Sequence, residues 1–277
     1  MNPVQKALWY IESHFAQDMS LDEIAAIGGV SRFHLVRAFS MATGCSVIRY
    51  ARGRRLTEAA RVLAAGAPDI LSVALEAGYS SHEAFTRAFR DQFGLTPEAV
   101  RAQRSLHNLK LVEAKKMDAT LQIAIEPPRF EHKDILLIAG LSERFDCESG
   151  AGIPGLWQRF GPHIGSVPGQ VGTAAYGVCC NTDEAGNMDY VCGVQVADFS
   201  ALPKDFTRVR IPAHRYAVFR HRDHISAIRS TWTKIWSEWL PQSGHEVADA
   251  PFFERYGEEF DARTGEGGLE LWIPIKR

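Results

Sequence analysis

The first 104 residues place apolar side chains three to four positions apart, which is the spacing of amphipathic helices. A first helix is predicted to begin at Asn2–Pro3, because proline suits the first helical position. Ser20 with Glu23, and Ser80 with Glu83, have the spacing of capping boxes and predict two later helix starts. The other predicted helices are Ser31–Thr43, Ile48–Ala64, one that starts at Ile70, and one that runs from Thr96 through Arg104.

An internal repeat links two parts of this helical region. The segment Ile24–Phe39 is similar to Val73–Phe89, with one extra residue in the second turn. A short helix, a turn and a longer helix with a basic outer face are typical of the helix-turn-helix, whose second helix enters the major groove. The helix Ile48–Ala64 would hold two such readers at a fixed spacing, so that one chain could bind an asymmetric DNA site.

From about Leu121 the pattern changes to the alternation that is typical of strands. Helices are predicted at Ile153–His163 and Ile225–Leu240. The predicted strands are Leu121–Ile125, Ile135–Leu141, Ala174–Asn181, Met188–Val196, Thr207–Ile211, His214–Phe219, Phe252–Tyr256 and Leu269–Ile275. Two successive strand-helix-strand-strand units indicate a pseudo-symmetric α+β domain with a cleft between its halves. We therefore expect a multi-domain chain: an all-α tandem helix-turn-helix domain at 1–105, a linker at 106–120 and the α+β domain at 121–277.

Composition and charge favour two folded domains with different roles. The chain has 277 residues, of which 45% are hydrophobic, as in ordinary globular proteins. Residues 1–116 contain 15 Lys and Arg against 11 Asp and Glu, whereas the remainder contains 16 against 22. A basic first part joined to an acidic second part is typical of a nucleic-acid module connected to a domain with another task.

The five cysteines include no C-x-x-C pair and are expected to be reduced. No apolar run approaches 18 residues, and the N-terminus has no signal-peptide pattern. These observations predict a soluble, cytoplasmic protein without a membrane partner.

The second helix of each repeat carries the candidate base-reading side chains. Arg37 and Arg87 occupy matching positions, and an arginine in the major groove can donate two hydrogen bonds to guanine. The alternative is a solvated face on which these arginines pair with carboxylates. Glu83 could accept from cytosine or serve only as a cap. The predicted DNA-contacting residues are Arg32, Phe33, Val36, Arg37, Glu83, Ala84, Arg87 and Arg90.

The connecting helix carries five arginines that could either bind phosphates or lie on a solvated face. They are Arg49, Arg52, Arg54, Arg55 and Arg61.

A candidate ligand site lies in the segment Phe252–Tyr256, where Glu254 shares a strand face with both aromatic residues. A carboxylate between aromatic rings is costly to bury unless a positive group meets it. Glu254 is therefore a candidate receptor for an organic cation, to which the rings would add cation–π attraction. Glu270 and Trp272 share a strand face in the same way, whereas Trp232 belongs to a helical apolar stripe expected to be core. The alternative is an ion pair between Glu254 and one of three arginines: Arg210, Arg220 or Arg255.

Motifs for catalysis are absent from the sequence. It has no P-loop, G-x-S-x-G, H-E-x-x-H or dinucleotide fingerprint, so we assign no catalytic residue, metal or cofactor and do not expect an enzyme. His214, His221 and His224 could bind a metal or lie on the surface. Hydrolysis of a ligand by a positioned water, or a protein-interaction module that never binds DNA, are the alternatives.

Residues from about Pro3 to Arg104 resemble the DNA-binding domain of AraC/XylS-type transcription regulators. The tandem repeat, LDEIAAIGGVSRFHLVRAF and YARGRRLTEAARVL carry this resemblance. It implies that Arg37 and Arg87 are the base-contacting arginines of two recognition helices. Phe33 stands where an aromatic residue often occurs, whereas Val36 replaces a polar residue that often reads a base.

Residues from about Leu121 to Arg277 resemble the GyrI-like effector-binding domain, which also occurs in Rob-type and BmrR-type regulators. The motifs IPGLWQRF, RYAVFRHR, PFFERY and LELWIPI carry this resemblance. It implies that a lipophilic cation binds in an aromatic cleft with a buried glutamate, for which Glu254 is the best match and Glu270 the second. The implied lining residues are Trp157, Tyr176, Trp236, Tyr256 and Trp272.

Together, these patterns and resemblances predict a transcription regulator. Its expected partners are double-stranded promoter DNA, a small-molecule effector that is an organic cation, and, as a further candidate, RNA polymerase.

Overall fold

The computed structural model describes residues 2–15, 17, 19–115, 125–146 and 152–276. They form two compact units, the first from Met1–Leu35 and Ser46–Ala119, the second from Val36–Cys45 and Thr120–Arg277. The first unit is helical and the second is built on an antiparallel sheet, which confirms the predicted fold class.

The helical region contains both copies of the repeat. Its helices are α1 (Pro3–His14), α2 (Leu21–Gly28), α3 (Arg32–Thr43), α4 (Val47–Ala64), α5 (Ile70–Glu76), α6 (His82–Phe93) and α7 (Pro97–Gln103). The pairs α2–α3 and α5–α6 are the two copies, and α4 connects them as predicted. In α6, Phe85 and Phe89 are fully buried in a core that also contains Leu56 and Leu63 of α4.

One of the two predicted capping boxes is confirmed and the other is wrong. Ser20 and Glu23 each accept a hydrogen bond from the backbone N–H of the other residue, at 3.2 Å and 2.9 Å, and open α2. In the second copy the cap is Ser81 instead of Ser80, because Ser81 Oγ accepts from the Ala84 N–H at 3.2 Å. The extra residue of the second turn shifts the helix start by one position. Glu83 then lies in the first turn of α6, where a hydrogen bond from its own N–H lowers its pKa.

Two arginines of α4 are structural, which corrects the suggestion that they bind phosphate. Arg54 is 5% exposed, and its Nε and Nη2 donate to the carboxylate of Glu12 at 2.9 Å. Arg55 donates to the backbone carbonyls of Phe15 and Gln17, both at 2.7 Å. These contacts fasten α4 to the end of α1. Arg61 pairs with Glu58, and the exposed Arg52 lies 3.9 Å from Asp91; Arg49 is also exposed.

Part of the predicted linker packs on the first unit. The Val112 N–H donates to Thr57 Oγ1 at 2.9 Å, and the Val112 carbonyl accepts from Arg54 Nη1 at 2.9 Å. Leu106, Leu109 and Leu111 pack against the core around Phe85 and Phe89. Residues 106–112 are therefore attached to the helical unit.

The second unit contains one eight-stranded sheet in which all neighbours are antiparallel. Its strands are β1 (Arg129–Lys133), β2 (Leu136–Phe145), β3 (Gln170–Cys180), β4 (Met188–Val196), β5 (Thr207–Ile211), β6 (His214–His221), β7 (Phe252–Tyr256) and β8 (Leu269–Ile275). Helix α8 (Ile153–Phe160) follows β2, and α9 (Ile228–Lys234) follows β6 and continues as a π-helical turn at Ile235–Trp239.

The strand order β1-β6-β8-β7-β3-β4-β2-β5 shows the predicted pseudo-symmetry. The units β2-α8-β3-β4 and β6-α9-β7-β8 are arranged alike and meet where β3 pairs with β7. Most of the predicted strand Leu121–Ile125 lies outside the described residues. Strand β1 was not predicted, because its mostly exposed sequence RFEHK lacks apolar alternation.

Candidate functional site

The carboxylate of Glu254 lies near the junction of the two halves and is 6% exposed. Its Oε2 accepts from Tyr190 Oη at 2.6 Å and from Tyr256 Oη at 2.7 Å. Its Oε1 accepts from Trp232 Nε1 at 3.0 Å. These partners come from β4, from β7 itself and from α9, so the carboxylate joins elements of both halves. Among the described residues no arginine or lysine pairs with it: Arg255 pairs with Glu270, and Arg220 with Glu259.

Glycine at position 177 makes this arrangement possible. Gly177 of β3 is the register partner of Glu254. A Cβ at position 177 would lie 2.1 Å from Tyr190 Oη and 2.8 Å from Glu254 Oε2, far closer than van der Waals contact. The Tyr190 hydroxyl also accepts from Trp157 Nε1 at 3.2 Å. Because Gly177 of β3 has no side chain, Tyr190 of β4 can hydrogen-bond both to Trp157 of α8 and to the Glu254 carboxylate.

The charge of the carboxylate affects its neighbours. Burial, and then the negative charge of Glu254, raise the pKa of Tyr190 and of Tyr256 well above the ordinary tyrosine value. Burial and the same charge also raise the pKa of the Cys179 and Cys192 thiols. The tyrosine hydroxyls therefore remain protonated donors at neutral pH. The hydrogen-bond donors to Glu254 are therefore all neutral groups.

A cavity of about 940 Å³ opens above this carboxylate, within the second unit. Its aromatic wall consists of Trp157, Tyr190, Trp232, Phe252, Tyr256 and Phe260. Trp157 meets the Tyr256 ring at 4.9 Å and Trp232 meets Phe252 at 5.0 Å, both edge to face. A space of this size with aromatic walls and one buried anion is suited to a bulky organic cation.

The second half of α3, which belongs to the same unit, contributes to the cavity wall through Val36, Arg37, Ser40 and Met41. Val36 and Arg37 are 4% and 5% exposed. The Arg37 guanidinium lies over the Phe252 ring, with its carbon 4.0 Å from the ring centroid.

Helix α6 presents a different surface. Glu83, Arg87 and Arg90 are exposed, whereas the Phe85 and Phe89 rings on its other side are buried. This helix therefore has an apolar buried face and a polar, largely basic outer face, as a recognition helix requires.

Comparisons with known proteins agree with this organisation. The profile of a helix-turn-helix domain matches residues 16–103, and that of the GyrI-like small molecule binding domain matches residues 126–276. The right origin-binding protein of Escherichia coli (strain K12) is 41% identical over 291 residues, covering 99% of this chain and 98% of that protein. The chain belongs to the AraC-type transcription regulators with a GyrI-like domain.

Another relative and two solved structures show lower identity. The transcriptional regulator BrlR of Pseudomonas aeruginosa is 29% identical, covering 70% of this chain and 77% of its own. The structure of SAV2435 bound to tetraphenylphosphonium is 22% identical with a TM-score of 0.46, covering 55% of this chain and 94% of that one. An AraC-type regulator from Chromobacterium violaceum is 31% identical with a TM-score of 0.36, covering 38% of this chain and 94% of that one.

In this regulator the predicted ligand residues divide between the two faces of the sheet. Glu254, Tyr256 and Trp157 line the cavity. Tyr176 does not, because it is adjacent to Gly177 and alternation directs it to the opposite face. Trp236 is fully buried and packs on the Phe252 ring at 5.7 Å instead of lining the cavity.

The predictions for Glu270 and Trp272 are also corrected by strand register. Trp272 pairs with Phe253 and Glu270 with Arg255, so both lie on the face opposite to Glu254. Glu270 accepts from Arg129 at 2.6 Å and from Arg255 at 3.2 Å. Burial raises the pKa of Glu270, but hydrogen bonding and charge from Arg129 outweigh it and lower the pKa overall. Unlike Glu254, this carboxylate is neutralised by protein cations.

Two of the residues that donate to Glu254 were not predicted. Trp232 was assigned to the core because it belongs to an apolar helical stripe, and Tyr190 lies in the continuous apolar strand Met188–Val196. The sequence signal for both residues was a side chain with a polar atom in an otherwise apolar segment. A buried tyrosine or tryptophan needs a hydrogen-bond partner, and here that partner is the Glu254 carboxylate.

The predicted DNA residues of α3 are less accessible than expected. Arg32 and Phe33 are half-buried, and Arg32 pairs with Asp22 at 3.3 Å. The expected exposure of Val36 and Arg37 is wrong in this conformation, because both face the cavity. In α6, Ala84 is half-buried beside the exposed Glu83, Arg87 and Arg90. All eight DNA contacts stay predictions.

Two of the three histidines suggested as metal ligands, His221 and His224, make ordinary hydrogen bonds. His221 is buried and its ring contacts Thr231 Oγ1 at 2.9 Å, while the ring of His224 contacts the Thr264 carbonyl at 3.0 Å. Within the described ranges, no group of three or more His, Cys, Asp or Glu side chains is suitably placed for a metal ion. None of the described helices has the length and apolar character needed to cross a membrane.

Proposed function

We propose that the GyrI-like domain binds a lipophilic organic cation over Glu254, and that this ligand modulates transcription control by the helix-turn-helix domain. The observation that carries the proposal is a buried carboxylate at the base of an aromatic cavity whose hydrogen-bond partners are all neutral.

Electrostatics favour a cation at this position. Three donors stabilise the carboxylate without cancelling its charge, so a positive ligand gains an attraction that a neutral one of the same shape lacks. At a separation of ~4 Å and an effective dielectric constant of ~20, the gross attraction is ~4 kcal/mol. An adjacent aromatic face adds about 0.5–2 kcal/mol. A bulky cation with diffuse charge also sacrifices less hydration than a compact ammonium group.

The proposal is tested by isothermal titration of the full chain with tetraphenylphosphonium and with a neutral compound of similar size, triphenylphosphine oxide. Glu254→Gln keeps the shape and an acceptor oxygen but removes the charge. We expect it to weaken cation binding by about tenfold to a hundredfold, equivalent to about 1.4–2.7 kcal/mol, and to change binding of the neutral compound little.

Glu270→Gln is the matched control, since it removes the same charge from the opposite face of the sheet. It should leave cation affinity within a factor of about two. Equal losses for both ligands in the Glu254 variant would contradict the charge argument.

For DNA, we propose that α6 reads bases through Glu83, Ala84, Arg87 and Arg90. The exposed polar face of α6 supports this assignment. The predicted contacts of Arg32 and Phe33 in α3 stay predictions, and those of Val36 and Arg37 require that the second half of α3 leave the cavity. Contact with RNA polymerase stays a prediction.

A further inference from the structure

The cavity already contains a cationic side chain of the protein. The Arg37 guanidinium carbon lies 4.0 Å from the Phe252 ring centroid and 5.7 Å from that of Trp236. Burial lowers the pKa of Arg37 to about 9, and nearby acidic groups, including Asp249, oppose that shift. Arg37 is therefore still a cation at neutral pH, and it lies on an aromatic wall of the proposed cation site.

Arg37 and a ligand cation would need the same surface. Phe252 and Glu254 are two residues apart on β7 and both line the cavity, as does Arg37. A bulky cation placed over Glu254 reaches the Phe252 ring, which the guanidinium covers at van der Waals distance. Like charges brought together at a buried site also repel each other strongly.

Helix α9 connects the same two features. Trp232 donates to Glu254, whereas Arg229 donates to the carbonyls of Ser40 and Met41, both at 3.4 Å. The Thr233 hydroxyl lies 3.2 Å from the Met41 carbonyl. Positions 229, 232 and 233 have the i, i+3, i+4 spacing of one helix face. One face of α9 therefore contacts both the Glu254 carboxylate and the last turn of α3.

We propose that Arg37 is an internal competitor of the effector: a bound organic cation displaces its guanidinium from Phe252 and releases the second half of α3 from the cavity. This inference rests on the proposed function, because it requires a cation to bind over Glu254. It assigns the regulation of that site to a single side chain.

The thermodynamic consequence is a coupling between ligand and α3. A ligand that binds only the state with Arg37 displaced has an apparent affinity reduced by the fraction of molecules in that state. Binding then shifts the population toward released α3, and anything that stabilises released α3 must strengthen ligand binding by the same factor. Arg37 is also the side chain that the sequence assigns to base reading, so its release would make that residue available to DNA.

The test is titration of the DNA-free full chain with tetraphenylphosphonium. Arg37→Gln removes the internal cation, and we expect the affinity for the ligand to rise by about threefold to thirtyfold, the range of one cation–π contact. Arg210→Gln, at an exposed position on β5, removes the same charge from the same unit and should leave the affinity unchanged.

A second variant tests the inference without altering the cavity. Thr233→Val is nearly isosteric and removes the hydroxyl next to the Met41 carbonyl. The hydroxyl shares its single proton between the Met41 carbonyl and the Arg229 carbonyl, which lies at 2.9 Å. The substitution should therefore raise ligand affinity by about twofold to threefold, the lower end of the range for a neutral hydrogen bond that holds the competing state. Thermal unfolding of each variant shows whether it is folded, and Thr233→Val decides the question if Arg37→Gln is not.

The outcomes separate this inference from the proposed function. If the wild-type protein binds the cation through Glu254 but neither Arg37→Gln nor Thr233→Val binds it more tightly, the competition is wrong and the cation site stands. If wild type, Arg37→Gln and Thr233→Val all fail to bind tetraphenylphosphonium, both the cation site and the competition are wrong. Tighter binding by both variants, with Arg210→Gln unchanged, supports the competition.

Discussion

Gly177 is the residue whose replacement tests the carboxylate network most specifically. In Gly177→Ala the new methyl group would lie 2.1 Å from Tyr190 Oη and 2.8 Å from Glu254 Oε2. Either the strands move apart, which typically costs about 1–3 kcal/mol, or Tyr190 withdraws and its hydrogen bond to a charged group is lost, at about 1.5–3 kcal/mol. Reduced freedom of the unfolded chain returns about 0.4–1 kcal/mol. We expect net destabilisation of about 1–2 kcal/mol.

Urea unfolding followed by tryptophan fluorescence is a suitable assay, because five of the six tryptophans belong to the second unit. Gly155→Ala is the control: its Cβ would meet nothing within 4 Å on α8, so the free energy of unfolding should stay equal or rise by up to about 1 kcal/mol.

A double-mutant cycle identifies the cause. Tyr190→Phe alone removes the donor to Glu254, whereas in the Gly177→Ala background that donor is already displaced. The two changes should therefore be less than additive, by at least about 1 kcal/mol, while independent sites agree within about 0.5 kcal/mol. Additive effects, or a Gly177→Ala variant as stable as Gly155→Ala, would refute the reasoning.

Three further predictions concern other parts of the chain. Arg87→Ala should weaken binding to a selected DNA duplex by about 1–3 kcal/mol and relax base choice, measured by fluorescence anisotropy; unchanged specific affinity would exclude α6 as a base reader. Arg54→Met should destabilise the helical unit by about 2–3 kcal/mol because Glu12 loses its charged partner, and a smaller change than about 0.5 kcal/mol by circular dichroism would contradict that structural role. Burial raises the pKa of Cys180 to about 11 from 9.0, so at pH 8 its thiol should react with iodoacetamide ~100-fold more slowly than an ordinary thiol. The reaction rate should keep rising with pH up to about 11; a rate that levels off near pH 9 would contradict the prediction.

The sequence was sufficient for features that depend on local spacing. The repeat located both helix pairs, the Ser20–Glu23 spacing gave the start of α2, and alternation placed Phe252, Glu254 and Tyr256 on one strand face. Alternation shows which residues of one strand share a face, but it does not show which residues of the neighbouring strand lie on that same face of the sheet. The assignments of Glu270 and Trp272 failed for that reason, since the register of β7 against β8 is set by tertiary pairing.

Long-range contacts account for the rest. Tyr190 is 64 residues from Glu254, and only the missing side chain of Gly177 lets them meet. Arg37 has the sequence context of an exposed reader, yet its environment is set by Phe252, more than 200 residues away. No local pattern predicts such an approach, because it depends on how distant segments pack.

The central claim is that an organic cation binds over Glu254, and indole N–H resonances of ¹⁵N-tryptophan-labelled protein test it most directly. Trp232 donates to Glu254 and Trp157 to Tyr190, whereas Trp272 donates to Glu270 on the opposite face. Titration with tetraphenylphosphonium should shift the Trp232 and Trp157 resonances saturably and leave Trp272 in place, and Glu254→Gln should weaken both shifts. Saturable shifts at Trp272 with Trp232 and Trp157 unmoved would contradict the account.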